Sequence, residues 1–218
     1  MIIGLTGTYC SGKNYIASML ENRGLPVLDV DKLGYKALDL EKDKIIALFG
    51  KEICSSSLGS SYGSSYGNSY DSSYCENHLD RRLLGKIVYG NPEKLAMLEK
   101  IVHPVANRLT EEWIAAQKGH CVINAALLHR TTILGRIDRI ILVKAPFFTR
   151  LKRARRRDSL SWKEIWRRIA SQKDFYTQYL SINAEIYIVE NPQQCGVFSR
   201  RKPEQRIDAF LREINQYG

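Results

Sequence analysis

Residues 7–14 read Gly-Thr-Tyr-Cys-Ser-Gly-Lys-Asn, the spacing of a phosphate-binding loop. Such a loop turns a run of backbone N–H groups inward at a helix N-terminus, where the helix dipole also favours an anion. Glycines at both ends, Gly7 and Gly12, allow backbone conformations that other residues resist. Lys13 would then reach the β- and γ-phosphates of a nucleotide. The closing position usually carries a Ser or Thr hydroxyl that meets magnesium; here it is Asn14. A carboxamide oxygen is neutral, one bond longer, and still acceptable to a hard cation. The expectation is a metal interaction that is weakened or shifted but not abolished. An apolar run, Ile2 to Thr6, precedes the loop, and "NYIASMLENRG" follows with Ile16, Met19 and Leu20 at helical spacing. Strand before and helix after is the context that a nucleotide-binding loop requires.

Two carboxylates come next. Asp29 and Asp31 end "PVLDVD" (26–31), which reads as a second strand, so period two would turn both the same way. In open α/β sheets the C-terminal ends of strands border the ligand crevice. A carboxylate there can orient a hydroxyl nucleophile and accept its proton, and Asp31 is the stronger candidate. The competing role for Asp31 is to cap the helix expected over "KLGYKAL". Further on, "RLKRARRRDSLS" (150–161) places Arg153 and Arg157 on one helical face at i, i+4. Such arginines neutralise charge spreading over a transferring phosphoryl group, and a lid carrying them would exclude water.

That basic stretch is the source of the charge imbalance. Between Arg139 and Lys173 stand 12 Lys or Arg against two acids, Asp158 and Glu164, which accounts for the net +10 of the chain. A solvated basic face, an anionic small molecule or nucleic acid would each fit. No aromatic-plus-basic RNA signature is present, so nucleic acid is not the expected partner. Trp113, Trp162 and Trp166 sit in helical patterns and read as core or interface.

These groups need a scaffold, and the pattern supplies one. Ile2–Thr6, 26–31, "HCVINAALL" (120–128), "RIILVKA" (139–145) and "AEIYIVEN" (184–191) read as five strands. Between them lie "NPEKLAMLEKIV", with Asn91 as N-cap and Pro92 opening the helix, and a second helix restarting at Pro104. "SWKEIWRRIASQ" opens on a capping box, Ser161 and Glu164. "KPEQRIDAFLREI" closes the chain with Ile207, Phe210, Leu211 and Ile214 inward. Alternation of strands and helices predicts a parallel sheet with helices on both faces. Residues 55–75 are almost all Ser, Tyr and Gly, and read as a flexible insertion. At 218 residues and 44% apolar, one domain with a real core is expected. Five scattered cysteines without a Cys-x-x-Cys, no membrane-length apolar run and no basic N-terminal leader point to a cytoplasmic protein.

In order and spacing these residues resemble the dephospho-coenzyme A kinase family, from Ile3 to Asn191. The resemblance is carried by "GLTGTYCSGKN", Asp29-Val30-Asp31, Leu79-Asp80-Arg81, His103-Pro104, Arg153, Arg157-Asp158-Ser159-Leu160-Ser161, Arg168-Ile169, Gln172 and Asn191. It implies a P-loop kinase fold: a five-stranded parallel core in one kinase domain, a helical substrate-binding region over 80–118 and a lid over 145–175. It implies transfer of the γ-phosphate of ATP, with Mg2+, to the 3′-hydroxyl of dephospho-coenzyme A. The implied nucleotide contacts are Gly7, Cys10, Ser11, Gly12, Lys13, Asn14, Tyr15, Arg153 and Asn191, with Asn14 on the metal side. Asp31 would be the base, and Asp80, Arg81 and His103 would serve the acceptor. The chain departs from the pattern at Asn14 and in "NAALLHR" (124–130), where Asn124 stands for an acid, Ala126 for proline and Arg130 for Glu. Two alternatives stay open: a kinase of another nucleoside or nucleotide, or a non-catalytic phosphate-loop domain that binds RNA or another anion. Oligomeric state is not legible.

Overall fold

Ile2–Gly7 forms strand β1, and Ile3 to Gly7 are buried, as a central parallel strand covered on both faces must be. The computed structural model describes residues 1–55, 78–158, 160–172, 175–180, 182, 184–192 and 202–216. The Ser/Tyr-rich stretch, apart from Ser55, lies outside the described residues. After β1 come α1 (Lys13–Glu21), β2 (Val27–Asp29), α2 (Val30–Leu40), α3 (Lys42–Phe49), β3 (Cys54–Ser55), β4 (His78–Leu79), α4 (Arg81–Val88) and α5 (Pro92–Ala115). The chain continues through β5 (Cys121–Asn124), β6 (Arg139–Lys144), α6 (Phe147–Arg157), α7 (Trp162–Ala170), α8 (Thr177–Leu180), β7 (Glu185–Glu190) and α9 (Pro203–Gln216).

Two compact units can be distinguished, Met1–Lys32 with Asn107–Gly218, and Leu33–Ala106. The first unit holds a five-stranded sheet in the order β2-β5-β1-β6-β7, with every neighbouring pair parallel. β1 is central, and the chain leaves it first toward β2 and later toward β7. Its C-terminal end is therefore a switch point of the kind where α/β sheets bind ligands. One face is sealed by α1 and α9. Ile16, Met19 and Leu20 of α1 meet Ile207, Phe210 and Ile214 of α9 over Ile3, Leu5, Ile141 and Val143 of the sheet. That buried face fixes where α1 starts, and so where the glycine loop sits.

In the second unit β3 and β4 pair antiparallel. Asp80 caps α4, accepting from Arg82 N at 2.7 Å and Leu83 N at 3.2 Å. The Asn91 side chain caps α5 by accepting from Lys94 N at 3.0 Å.

The structure corrects several expectations. The second strand ends at Asp29, and Asp31 is already in the first turn of α2. Asp29, not Asp31, caps that helix, accepting from Asp31 N at 3.1 Å and Lys32 N at 3.4 Å. Strand period therefore does not relate the two carboxylates. No new helix starts at Pro104; α5 runs through it from Pro92 to Ala115. A proline there removes only one backbone donor, and the flanking Val102 and Val105 are buried. The third strand stops at Asn124 rather than at 128, and 128–130 is a short 3-10 turn. Of the two readings for Trp162 and Trp166, core or interface, exposures of 56% and 59% on α7 rule out the core. Among the described residues no helix is long and apolar enough to cross a membrane.

Candidate active site

The loop between β1 and α1 forms a cradle because its backbone cannot be built from ordinary residues. Gly12 sits at φ 93 and Cys10 at φ 59, both left-handed. Cys10 carries a Cβ there and is held in a conformation that costs it energy. A Cβ at Gly12 would collide with the Asn191 side-chain amide. At Gly7 it would come within 2.6 Å of Ser11 Oγ and 2.7 Å of the Val143 carbonyl oxygen. The first N–H groups of α1 have no intrahelical acceptor and face the cradle.

Braces from the far end of the chain hold this shape. Asn191, 4% exposed, is positioned at the end of β7 by its N–H bond to the Lys144 carbonyl at 2.7 Å. Its Nδ2 donates to Ser11 O at 2.9 Å. Arg153 Nη1 donates to the same carbonyl at 2.8 Å, and its Nη2 donates to Asn191 O at 3.1 Å and Oδ1 at 3.3 Å. Arg153 thus ties the loop to Asn191. Arg150 Nε donates to Tyr9 O at 2.8 Å, and Tyr9 N donates to Gln172 Oε1 at 2.6 Å.

Around the cradle lies a cavity of about 590 Å³, lined by residues 7–15, Asp31, Ala126, Arg153, Arg156, Arg157 and Gln172. Lys13 Nζ and Asp31 Oδ2 stand 3.3 Å apart inside it. The lysine side chain is 11% exposed and the aspartate 54%, so a cation on a packed stem faces a carboxylate open to solvent. Arg157 donates to Asp158 twice, Nε to Oδ1 at 2.9 Å and Nη2 to Oδ2 at 3.1 Å. Its guanidinium lies 5.2 Å from the centre of the Tyr9 ring, and the Tyr9 hydroxyl donates to Asp158. Arg157 holds the Asp158 carboxyl below the ordinary aspartate range, and the same bond raises the arginine's own pKa. Burial, and then the bond to Asp158, pushes the Tyr9 phenol up; burial also raises the Cys10 thiol.

On the opposite side, Asn14 meets a residue 110 positions away: Asn124 Nδ2 donates to Asn14 Oδ1 at 3.4 Å. Asn124 ends β5, paired in register with Leu5 of β1 and Asp29 of β2. It is 2% exposed and its Oδ1 has no hydrogen-bond partner among the described residues. Thr8 Oγ1 and Ser11 Oγ are likewise buried without a partner among the described residues. Buried polar atoms left unpaired are costly and uncommon, and three of them here, two on the loop itself, mark a ligand site. The two carboxamides offer neutral, hard oxygen atoms, a donor set that fits a magnesium ion or its water shell. No group of three or more His, Cys, Asp or Glu placed to hold a metal occurs among the described residues.

Of the remaining candidates one borders the cavity and three do not. Tyr15 lines the cavity, half exposed, with its hydroxyl donating to Glu204 at 3.1 Å. Asp80, Arg81 and His103 belong to the second unit. There Arg81 Nη2 donates to Asp39 at 2.8 Å and its guanidinium lies 4.7 Å from the Tyr35 ring centre, while His103 is exposed on α5. The sequence did not single out Tyr9, Arg150 or Arg156. Arg150 and Arg156 were visible only as parts of a basic run, and nothing in a loop of variable middle residues marked Tyr9.

A parallel sheet with a phosphate cradle at its switch point, one lysine, one open carboxylate and a bordering arginine define a kinase of the phosphate-loop class. Residues 1–193 match the family model for dephospho-CoA kinase. The chain therefore belongs to the dephospho-CoA kinase family. A dephospho-CoA kinase of Treponema denticola is 30% identical over 223 residues, covering 100% of this chain and 91% of that one. The crystal structure of TT1252 from Thermus thermophilus superimposes with a TM-score of 0.73 at 28% identity, over 98% of this chain and 97% of the other. Dephospho-CoA kinase from Campylobacter jejuni shares the fold, with a TM-score of 0.63 at 23% identity over 99% and 97% of the two chains.

Proposed function

We infer that this chain transfers the γ-phosphate of ATP to the ribose 3′-hydroxyl of dephospho-coenzyme A, the last step of coenzyme A biosynthesis. The observation that carries the reading is the Lys13–Asp31 pair, 3.3 Å apart at the mouth of the phosphate cradle. One partner is a ligand for phosphate and the other a base for a hydroxyl. When a phosphoryl oxygen takes Lys13, Asp31 is released to accept the proton of the 3′-hydroxyl. The hydroxyl oxygen forms the new bond to γ-phosphorus, the bridging oxygen leaves with ADP, and the proton rests on Asp31. Phosphoryl transfer needs little from the protein beyond this placement and the neutralisation of charge.

Backbone N–H groups of Gly12, Lys13 and Asn14 and the hydroxyls of Thr8 and Ser11 bind the phosphates. Arg157 neutralises the transferring group, and Arg153 with Asn191 keeps the cradle in shape. Asn14 and Asn124 would hold magnesium, directly or through its water. The ion, when bound with ATP, adds positive charge along the phosphate chain. Residues 145–175 form the lid in this reading. The second unit's Asp80, Arg81 and His103 are assigned to the acceptor. Scattered cysteines fit a reducing cytoplasm.

The test is to incubate the protein with ATP, magnesium and dephospho-coenzyme A and to follow coenzyme A. The wild-type chain makes coenzyme A in proportion to ATP consumed. Failure to do so, with ATP bound normally, would overturn the assignment.

A further inference from the structure

We propose that Tyr9 is a positioning residue for phosphoryl transfer: from within the phosphate loop it fixes where the Arg157 guanidinium stands at the cavity. The proposal rests on the reading that Arg157 neutralises the transferring phosphoryl group.

Arg157 needs fixing. It is the last residue of α6, its side chain is 61% exposed, and an arginine held in one place gives up considerable rotamer freedom. The second arginine at the cradle cannot substitute for it. The Arg153 Nη atoms are bonded to the carbonyl oxygens of Ser11 and Asn191. Arg157 is held instead from two directions that meet at Tyr9. Its guanidinium lies over the Tyr9 ring, centroid distance 5.2 Å, where the negative face of the ring attracts a cation. Its fork grips Asp158, and the other end of that carboxylate network is the Tyr9 hydroxyl. A second cation, Arg168, stands 5.9 Å from the same ring centre.

Tyr9 is itself immobilised by its backbone. Its N–H donates to Gln172 and its carbonyl accepts from Arg150, which fixes the main chain from which the ring projects, and the hydroxyl bond to Asp158 holds the side chain itself. Phosphate binding by such a loop uses backbone N–H groups and makes no demand on a middle side chain. A tyrosine with four separate attachments is doing something besides that. Arg157 lines the cavity, and its bonds to Asp158 engage Nε and Nη2.

Two single variants separate the ring from the hydroxyl, and a cycle with Arg157→Ala ties the effect to that arginine. Tyr9→Leu keeps an apolar side chain of smaller volume and removes the π face; kcat falls about three- to fivefold, the factor expected for one largely exposed cation–π contact, while KM for ATP moves less than about twofold. Tyr9→Phe keeps the ring and retains most of kcat. In combination with Arg157→Ala, Tyr9→Leu causes no loss beyond that of Arg157→Ala alone. Multiplicative losses in the double variant would overturn the proposal. So would a Tyr9→Leu effect confined to KM for ATP, or a Tyr9→Phe variant as slow as Tyr9→Leu. Circular dichroism and Tm confirm that each variant is folded. The same cycle is read on ATP transfer to water without acceptor. A wrong acceptor assignment abolishes coenzyme A formation by the wild type and leaves this cycle intact, so the two failures are distinct.

Discussion

Replacing Arg153 by Lys keeps the charge and removes the fork, which tests whether this residue serves the phosphate or the loop that holds it. In the structure Nη1 reaches Ser11 O at 2.8 Å, and Nη2 reaches Asn191 O at 3.1 Å. An ammonium group can keep one of these two sites at most. A hydrogen bond with a charged partner contributes about 1.5–3 kcal/mol, and Arg153 is partly shielded from water. Some of the loss is recovered because Asn191 Nδ2 still serves Ser11 O at 2.9 Å. The expected destabilisation is about 2–3 kcal/mol, or roughly 4–12 °C in Tm for a chain of this size. Thermal denaturation by circular dichroism measures it. The loosened cradle also raises KM for ATP by about tenfold, while kcat at saturating ATP falls less. If instead Tm holds within about 2 °C, KM is unchanged and kcat drops a hundredfold, Arg153 acts on the phosphoryl group and the loop argument is wrong.

Asp31→Asn keeps the size of the side chain and removes the base; kcat for coenzyme A formation falls by about 10²–10⁴ with little change in KM for ATP, and turnover within a few-fold of wild type would remove Asp31 from the mechanism. Asn14→Thr supplies a hydroxyl on the metal side and lowers the magnesium concentration at half-maximal rate. Manganese binding in the presence of ADP, followed by electron paramagnetic resonance, tightens in parallel, and an identical metal dependence in both assays would refute the role of Asn14. His129, whose pKa burial and then Arg130 lower, contacts the Tyr179 hydroxyl at 3.3 Å. The unfolded chain binds the extra proton first, so stability falls as pH drops below about 6.5, toward the folded-state value, and His129→Gln flattens that part of the Tm profile.

Local rules carried the first strand, the loop, the caps of α5 and α7 and the terminal helix. Each is set by neighbours in sequence: Asn91 caps α5, Ser161 and Glu164 form a capping box, and Ile207, Phe210 and Ile214 share one buried face. The boundaries that went astray are those where a distant partner decides. The β2 pairing with β5 ends at the Asp29–Asn124 register, so Asp29 is free to cap α2 and Asp31 turns toward Lys13 as a helical residue. Helix α5 survives Pro104 because burial on either side outweighs one lost bond, and no local propensity contains that information.

The site shows the same division more sharply. Lys13 and Asp31 could be found because their chemistry is written in residue type, whereas the work of Arg153 and Arg157 could not. Both stand at i, i+4 in one basic run, which treats them as equivalents. Yet Arg153, one turn back from the end of α6, meets Ser11 and Asn191, and Arg157 meets Tyr9 and Asp158. A helical repeat gives two cations the same face; only the loop they approach gives them different acceptors. Asn14 makes the complementary point. As a lone departure from Ser or Thr it raises a question about metal binding in one position. With Asn124 Nδ2 on its oxygen at 3.4 Å it becomes half of a neutral carboxamide pair, joining the N-terminus of α1 to the end of β5. The electrostatic character of that side of the cradle belongs to the pair. A hydroxyl restored at residue 14 changes one donor, while the absence of a carboxylate at residue 124 sets how strongly the chain itself can attract a divalent ion.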